Sequence, residues 1–464
     1  MNAASLIHTE TVVYDMMFVA HDRHSLLSRI QAWKYFLQSK QIKTTVIQEY
    51  LSFDLIALVY ACLEQSVTIF TASKSKAETS DLSQLVDAVF IGSGCGYLYD
   101  NQGDNYHWIH EVIGDHSNHI YRPTDIDPDF LFVVGTTSGS DTGKPKVIKH
   151  SARTFLAAAR CCTFFFDPNA RFAAYPNINH IGMAANMVIS PTLAGAKIYS
   201  VSSIFDLMVL STRHCINTLG LFSTQASSWN LICEILAHEG IDWFSVDLTG
   251  IDLLTGGSPL GTSMADWFFA KNGRRIRSLF GNNEVLMPVF YHDVYNAQED
   301  FLARNLGRPC PGVEYRIDNN NHLWLRTPSI SEFIDVDEHG FFNTKDIVVQ
   351  KNQVTSYKGR RLINGNFVTD LHDTILNVLC RDQIHMDHYT INHDAVTNKI
   401  TFVFDRRSVQ RSLLQYQQDI SEILTQFDCD PEFQMLFSRD TDKIKTVLPR
   451  DENLIVYRST RDYT

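Results

Sequence analysis

The chain has 464 residues, enough at ~100–200 residues per domain for two or three folded units. Hydrophobic residues make up 44% and charged ones 20%, which excludes a mainly disordered chain. Lys+Arg total 40 against Asp+Glu 52, a net charge of -12, so the broad basic surface that nonspecific nucleic-acid binding needs is not expected.

The first twenty residues lack a basic stretch and are interrupted by Glu10 and Asp15, so they read as a poor signal peptide. Residues 26–41 and 47–65 carry apolar positions at helical spacing, and 66–70 reads as a short strand. The apolar run Leu55 to Leu63 has nine residues, about half of a membrane-spanning helix, so no membrane span is expected. Residues 86–94 form a predicted strand that enters a glycine turn, and Leu131 to Thr137 is a predicted buried strand. A helical run over 154–166 follows, and then a third strand–helix pair from Arg171. Strands alternating with helices indicate α/β units around a largely parallel sheet.

From about residue 300 short strands and turns dominate. The polar segment 350–361 marks the expected boundary between a large domain, 1–355, and a small one, 356–464. The small domain should hold a strand at 399–405, a helix at 409–427 and a last strand at 432–437. Nine scattered cysteines, odd in number and without a CxxC pair, fit a reduced, cytoplasmic protein. His107, His110, His116 and His119 cluster, as do His385, His388 and His393, but neither group has zinc-ligand spacing.

The segment Val133 to Lys146 carries the most chemistry. A strand runs into Thr137, Ser138, Gly139, Ser140, Asp141, Thr142, Gly143, Lys144, Pro145 and Lys146. Glycines allow tight turns that aim N–H groups inward, hydroxyls donate to phosphate oxygens, and lysines add positive charge. It is not a Walker loop, because Pro145 follows Lys144 where Ser or Thr is required.

TSGSDTGKPK resembles the TSG[ST]TGxPK signature of the adenylate-forming superfamily, with Asp141 as an extra residue. Further segments resemble that family in order. They are Asn179 to Gly182, the stretch Gly256-Gly257-Ser258-Pro259-Leu260, and Phe280-Gly281-Asn282-Asn283-Glu284, where the family has YGxTE. Gly307 to Val313 and Thr344-Lys345-Asp346 complete the set, with Lys345 standing where the family's TGD has glycine.

The resemblance implies an α/β fold, with a large multi-layer N-terminal domain of mixed sheets and helices and a small mobile α+β C-terminal domain. It implies activation of a carboxylic acid by ATP to an acyl-adenylate with release of pyrophosphate, followed by transfer to a thiol of CoA or a phosphopantetheinyl carrier protein. An amide- or ester-forming ligase and a degenerate, non-catalytic nucleotide binder are the alternatives. Thr137, Ser138, Gly139, Ser140, Thr142, Gly143 and Lys146 would hold the phosphates, with Thr142 and Glu284 bearing on Mg²⁺. Gly256, Gly257, Ser258, Phe280, Gly281, Asn282 and Asn283 would surround the adenine, and Asp346 and Arg360 would hold the ribose.

His180 and Gly182 would border the acid. No carboxylate lies in 177–181 to pair with a substrate amine, which leans towards a plain acyl or aryl acid. The hinge and ribose arginine fall in Tyr357 to Gly365, where either Arg360 is the family arginine or Lys358 is the hinge residue. Lys443, in Ser438 to Lys445, resembles the family's catalytic lysine, with Asp442 in place of a glycine.

Overall fold

The computed structural model describes residues 1–15, 17–48, 51–71, 86–91, 97–100, 105–108, 120–136, 147–167, 169–175, 182–222, 248–257, 262–294, 305–351, 354–359, 362–363, 366–367, 389–394, 399–405, 418, 422, 433–438 and 455–458. The chain divides into two units, Met1–Arg316 with Trp324–Phe342, and Ile317–Leu323 with Asn343–Thr464.

The first unit is built on two sheets. Nine strands form one of them, in the spatial order Arg308–Pro309, Pro288–Val294, Ile276–Gly281, Asp252–Gly256, Thr218–Phe222, Arg171–Ala174, Lys197–Tyr199, Val12–Tyr14 and Ala20–His21. The six from Ile276–Gly281 through Val12–Tyr14 run parallel, flanked by antiparallel strands at both edges. The second sheet has seven strands in the order Asn105–Trp108, Tyr97–Asp100, Ala88–Ile91, Thr44–Gln48, Thr68–Phe70, Leu131–Thr136 and Val147–Ser151. Its four central strands are parallel. The last pair is antiparallel, with Thr136 opposite Val147, so residues 137–146 connect two paired strands.

The expected helix over 47–65 is corrected. Thr44–Gln48 is a strand, paired in parallel on both sides, and the helix is Phe53–Gln65. The β-branched residues Thr44, Thr45, Val46 and Ile47 suit the strand that those two neighbours pair with, and Ser52 caps the helix by accepting from the Leu55 N–H at 3.0 Å. The helix expected over 154–166 spans Ala152–Cys162 and tightens into a 3₁₀ turn, Thr163–Phe165. This helix packs on strands Leu131–Thr136 and Val147–Ser151 and on the helical segment from Ala184 to Ala194. The largest fully buried side chains include Trp33, Phe90, Phe132, Phe155, Phe172 and Phe290. Trp33 meets Phe90 edge-on at 5.3 Å, and Phe132 meets Phe155 at 4.6 Å. Among the described residues, no helix is long and apolar enough to cross a membrane.

In the second unit, the strand Phe342–Lys351, from Asn343 on, and the strand Val354–Tyr357 form an antiparallel hairpin with Val348 opposite Tyr357. The segment 350–361, which reads as an unpatterned polar stretch, therefore contains a strand. Its ladder partner lies upstream, and its residue pattern shows only Thr355 buried. Four further strands pair in the order Tyr389–Asp394, Lys399–Asp405, Phe433–Ser438 and Ile455–Arg458. The expected strands at 399–405 and 432–437 match two of them closely. Most of the expected helix at 409–427 lies outside the described residues.

Candidate active site

The carboxyl ends of the six parallel strands lie together, at Tyr14, Tyr199, Ala174, Phe222, Gly256 and Gly281. From Arg171–Ala174 the chain steps to Lys197–Tyr199 on one side. It then returns to Thr218–Phe222 on the other and moves outward to Asp252–Gly256 and Ile276–Gly281. In open parallel sheets, ligands bind at the carboxyl ends beside such a reversal of strand order.

Three of the expected segments meet at this edge. Gly256 ends its strand opposite Leu279, and a Cβ there would come within 2.8 Å of the Leu279 carbonyl oxygen. Gly281 has no room for a Cβ either, since one would collide with the Met287 carbonyl. Register shifts between Phe280 and Gly281, which lets the chain leave the sheet there. Gly182 lies against the same turn, where a Cβ would sit 3.1 Å from the Leu286 carbonyl oxygen. Phe280 is half-buried, with its ring 6.4 Å from that of Phe290.

The turn after Gly281 is held by its main chain. His150 Nε2 lies 2.8 Å from the Asn283 carbonyl oxygen. The Ser331 N–H donates to the Glu284 carbonyl at 3.0 Å, and the Val285 N–H donates to that of Asn282 at 3.3 Å. Burial lowers the His150 pKa to about 4, despite the opposing effects of the Asn283 carbonyl and the Glu332 charge. This imidazole is therefore neutral at physiological pH.

Both polar atoms of the Asn282 side chain are buried without a hydrogen-bond partner among the described residues. A buried amide left so carries a free-energy cost that a polar ligand would relieve. Further back on the same strand, Arg277 pairs with Asp293 at 2.5 and 3.0 Å. Its guanidinium lies 5.1 Å from the Phe164 ring and 5.1 Å from that of Tyr291. Burial raises the Asp293 pKa, but hydrogen bonding and charge from Arg277 outweigh it and hold the carboxyl below its usual value.

The structure thus brings Gly182, Gly256 and Gly281 to Glu284 to one edge, with Gly257 following in a left-handed turn at φ 87°. Asp346 belongs to the second unit. It is buried, and its N–H donates to Thr344 Oγ1 at 3.0 Å. Thr137, Ser138, Gly139, Ser140, Thr142, Gly143, Lys146, His180, Ser258, Arg360 and Lys443 lie outside the described residues. His150 and Ser331 are absent from the sequence-based site. The available signal for His150 was the alternation of Val147–Ser151, which turns Ile148 and His150 inward. Among the described residues, no cluster of three His, Cys, Asp or Glu side chains is arranged to hold a metal.

No curated protein sequence matches the chain. Solved structures share its fold. Coronafacic acid ligase from Pectobacterium brasiliense aligns at 17% identity over 98% of this chain and 96% of its own, with a TM-score of 0.58. ATP-bound MatB from Rhodopseudomonas palustris aligns at 14% identity over 96% and 94%, with a TM-score of 0.68. The amide bond synthetase McbA from Marinactinospora thermotolerans aligns at 14% identity over 94% of each chain, with a TM-score of 0.66. The family model described as AMP-binding enzyme matches residues 34–327, more than half of the protein. With the ordered motifs at the sheet edge, this places the chain in the AMP-binding enzyme family, within the adenylate-forming superfamily.

Proposed function

We propose that the protein activates a carboxylic acid with ATP and passes the acyl group to a thiol, on CoA or on a phosphopantetheinyl carrier protein. In the first step a carboxylate oxygen attacks the α-phosphorus, the bond to the bridging oxygen of the β-phosphate breaks, and pyrophosphate leaves. Two anions must meet, so positioning and charge neutralisation carry the chemistry. The observation that carries the reading is the convergence of Gly182, Gly256 and the turn Gly281–Glu284 at the carboxyl edge of the parallel sheet.

In this reading Phe280 packs on the adenine, a role its apolar ring face suits. Gly256 and Gly281 let the strand end and the turn pack against the Leu279 and Met287 carbonyls, where a side chain would not fit, and so shape the edge that faces the nucleotide. Thr137, Ser138, Gly139, Ser140, Thr142, Gly143 and Lys146 hold the phosphates, and Asp346 and Arg360 hold the ribose hydroxyls. Mg²⁺, held by Glu284 and Thr142 with the phosphate oxygens, would supply neutralising charge when bound. Lys443 would place its ammonium between the attacking carboxylate and the α-phosphate. His180 and Gly182 would border a plain acyl or aryl acid. The likeness to McbA, a solved amide bond synthetase, supports a second reading in which the acceptor is an amine.

The test is ATP–pyrophosphate exchange across a panel of carboxylic acids, followed by acceptor screening with CoA, carrier protein and amines. Exchange with at least one acid is expected. No exchange with any acid, together with no thermal shift on adding MgATP, would sink the proposal.

A further inference from the structure

The strand Val147–Ser151 is the return strand after residues 137–146, and it is tied to two distant segments. His150, fully buried, reaches Asn283, 133 positions later, through Nε2. The Ser331 N–H donates to the Glu284 carbonyl at 3.0 Å, and the Ser331 hydroxyl donates to the Lys149 carbonyl at 2.6 Å. Thr154, in the first turn of the following helix, donates its hydroxyl to Glu332 Oε2 at 3.2 Å. The strand end, the turn at 282–286 and the segment at 331–332 therefore form one hydrogen-bonded clasp.

We propose that His150 is a positioning residue: its imidazole fixes the Asn282–Leu286 turn against the strand that leaves residues 137–146, and so sets where Glu284 stands relative to bound nucleotide. The inference deepens the adenylation reading and rests on it for its catalytic consequence. A carbonyl oxygen only accepts, so Nε2 must carry the proton and donate it to Asn283. Nδ1 then keeps its lone pair, facing the Thr154 hydroxyl at 3.4 Å. A second proton would put a charge where no water reaches, so the ring stays in one tautomer and its donor is always present. Glu284 is one residue beyond the clamped carbonyl, so a lost clasp is felt directly at its side chain. Misplacement of such a group by about 1 Å lowers rates by up to ~10²-fold.

Two variants separate positioning from filling. His150→Phe keeps an aromatic ring and removes both nitrogens. His150→Gln keeps an N–H donor at similar reach. Hydrogen exchange at the Val285 and Ser331 amides reads the clasp without any turnover. Both amides should exchange at least about tenfold faster in His150→Phe and near the wild-type rate in His150→Gln. The pyrophosphate-exchange rate at saturating MgATP should fall roughly ten- to hundredfold in His150→Phe, with KM for MgATP moving less, and recover in His150→Gln. Nitrogen-15 spectra of the wild-type imidazole should show a proton on Nε2 and none on Nδ1 between about pH 5 and 8. An Nδ1–H tautomer, unchanged amide protection in His150→Phe, or His150→Gln behaving like His150→Phe would each overturn the proposal. If no acid supports exchange in the wild type, the activity reading fails, while the amide and nitrogen readouts still decide the clasp.

Discussion

Glu64→Gln should destabilise the first unit by about 3–5 kcal/mol. The Glu64 carboxylate has no exposed surface, and its partner Lys34 is 3% exposed. One oxygen accepts from Lys34 Nζ at 2.6 Å, and the other accepts from the Ala3 N–H at 2.7 Å and from the Tyr121 hydroxyl. Lys34 also donates to the Arg122 carbonyl at 2.6 Å and to Thr124 at 2.8 Å. A glutamine cannot satisfy both sides. Its NH₂ must face either the ammonium or the Ala3 N–H, so one donor meets another in either orientation. The ammonium meanwhile stays buried with neutral acceptors alone. Bonds to charged groups contribute about 1.5–3 kcal/mol each, and stranding one member of a buried pair typically costs about 3–5 kcal/mol. Denaturant unfolding followed by tryptophan fluorescence would read the change, since Trp33 neighbours Lys34 on the same buried helix. The double variant Lys34→Met with Glu64→Leu should recover most of the loss, because no charge is left unpaired. A loss under about 1 kcal/mol in Glu64→Gln, or a double variant worse than either single one, would refute the reasoning.

Three further outcomes are expected. Lys345 is exposed with φ 61°. Lys345→Gly should therefore raise stability by up to about 1 kcal/mol, the left-handed penalty of about 1–2 less the entropy that glycine adds to the unfolded chain. A fall in unfolding midpoint would count against it. The His150 pKa is lowered from 6.5 to about 4, so the unfolded chain binds that proton more readily. The stability held by the neutral ring is complete above about pH 6.5 and falls by about 3 kcal/mol as pH drops through 4. Unfolding at pH 7 and pH 4.5 should show a smaller acid loss in His150→Gln than in the wild type, and equal losses would contradict this. Lys443→Ala should slow pyrophosphate exchange by ~10²–10³-fold while changing KM for ATP little, and near wild-type exchange would shift the role to Lys445.

Much of the first unit was legible because its signals are local. Leu131 to Thr136 is an uninterrupted apolar run ending in a glycine turn, and its strand bounds differ from the expected ones by one residue. Helix Arg23–Ser39 has regular apolar spacing and an Asp22 cap accepting from Ser25 at 2.8 Å. What failed was non-local. The apolar residues at 44–48 look alike in a helical or an extended frame, and the choice was made by flanking strands at 68–70 and 88–91. Likewise Val354–Tyr357 is polar in composition and becomes a strand because 348–351 offers it a ladder. The clasp at His150 was illegible for the same reason, since its acceptor is a main-chain carbonyl far along the chain.

Two departures from the family signature, at 283 and 345, fall at positions where the main chain carries the structural role. Asn283 stands where the resembled signature has threonine, yet what holds this turn is the Asn283 carbonyl, which any residue supplies. Lys345 stands in place of a glycine and keeps the left-handed backbone that a glycine would adopt without strain, so the substitution alters energy rather than path. The converse holds at Gly256 and Gly281. Those glycines match the signature, and each sits where a Cβ would strike a neighbouring carbonyl. A substitution there would displace the strand ends or the turn bearing Glu284, at a cost of about 1–3 kcal/mol for overpacking alone. The departures at 283 and 345 are thus each of a kind that leaves the local backbone intact.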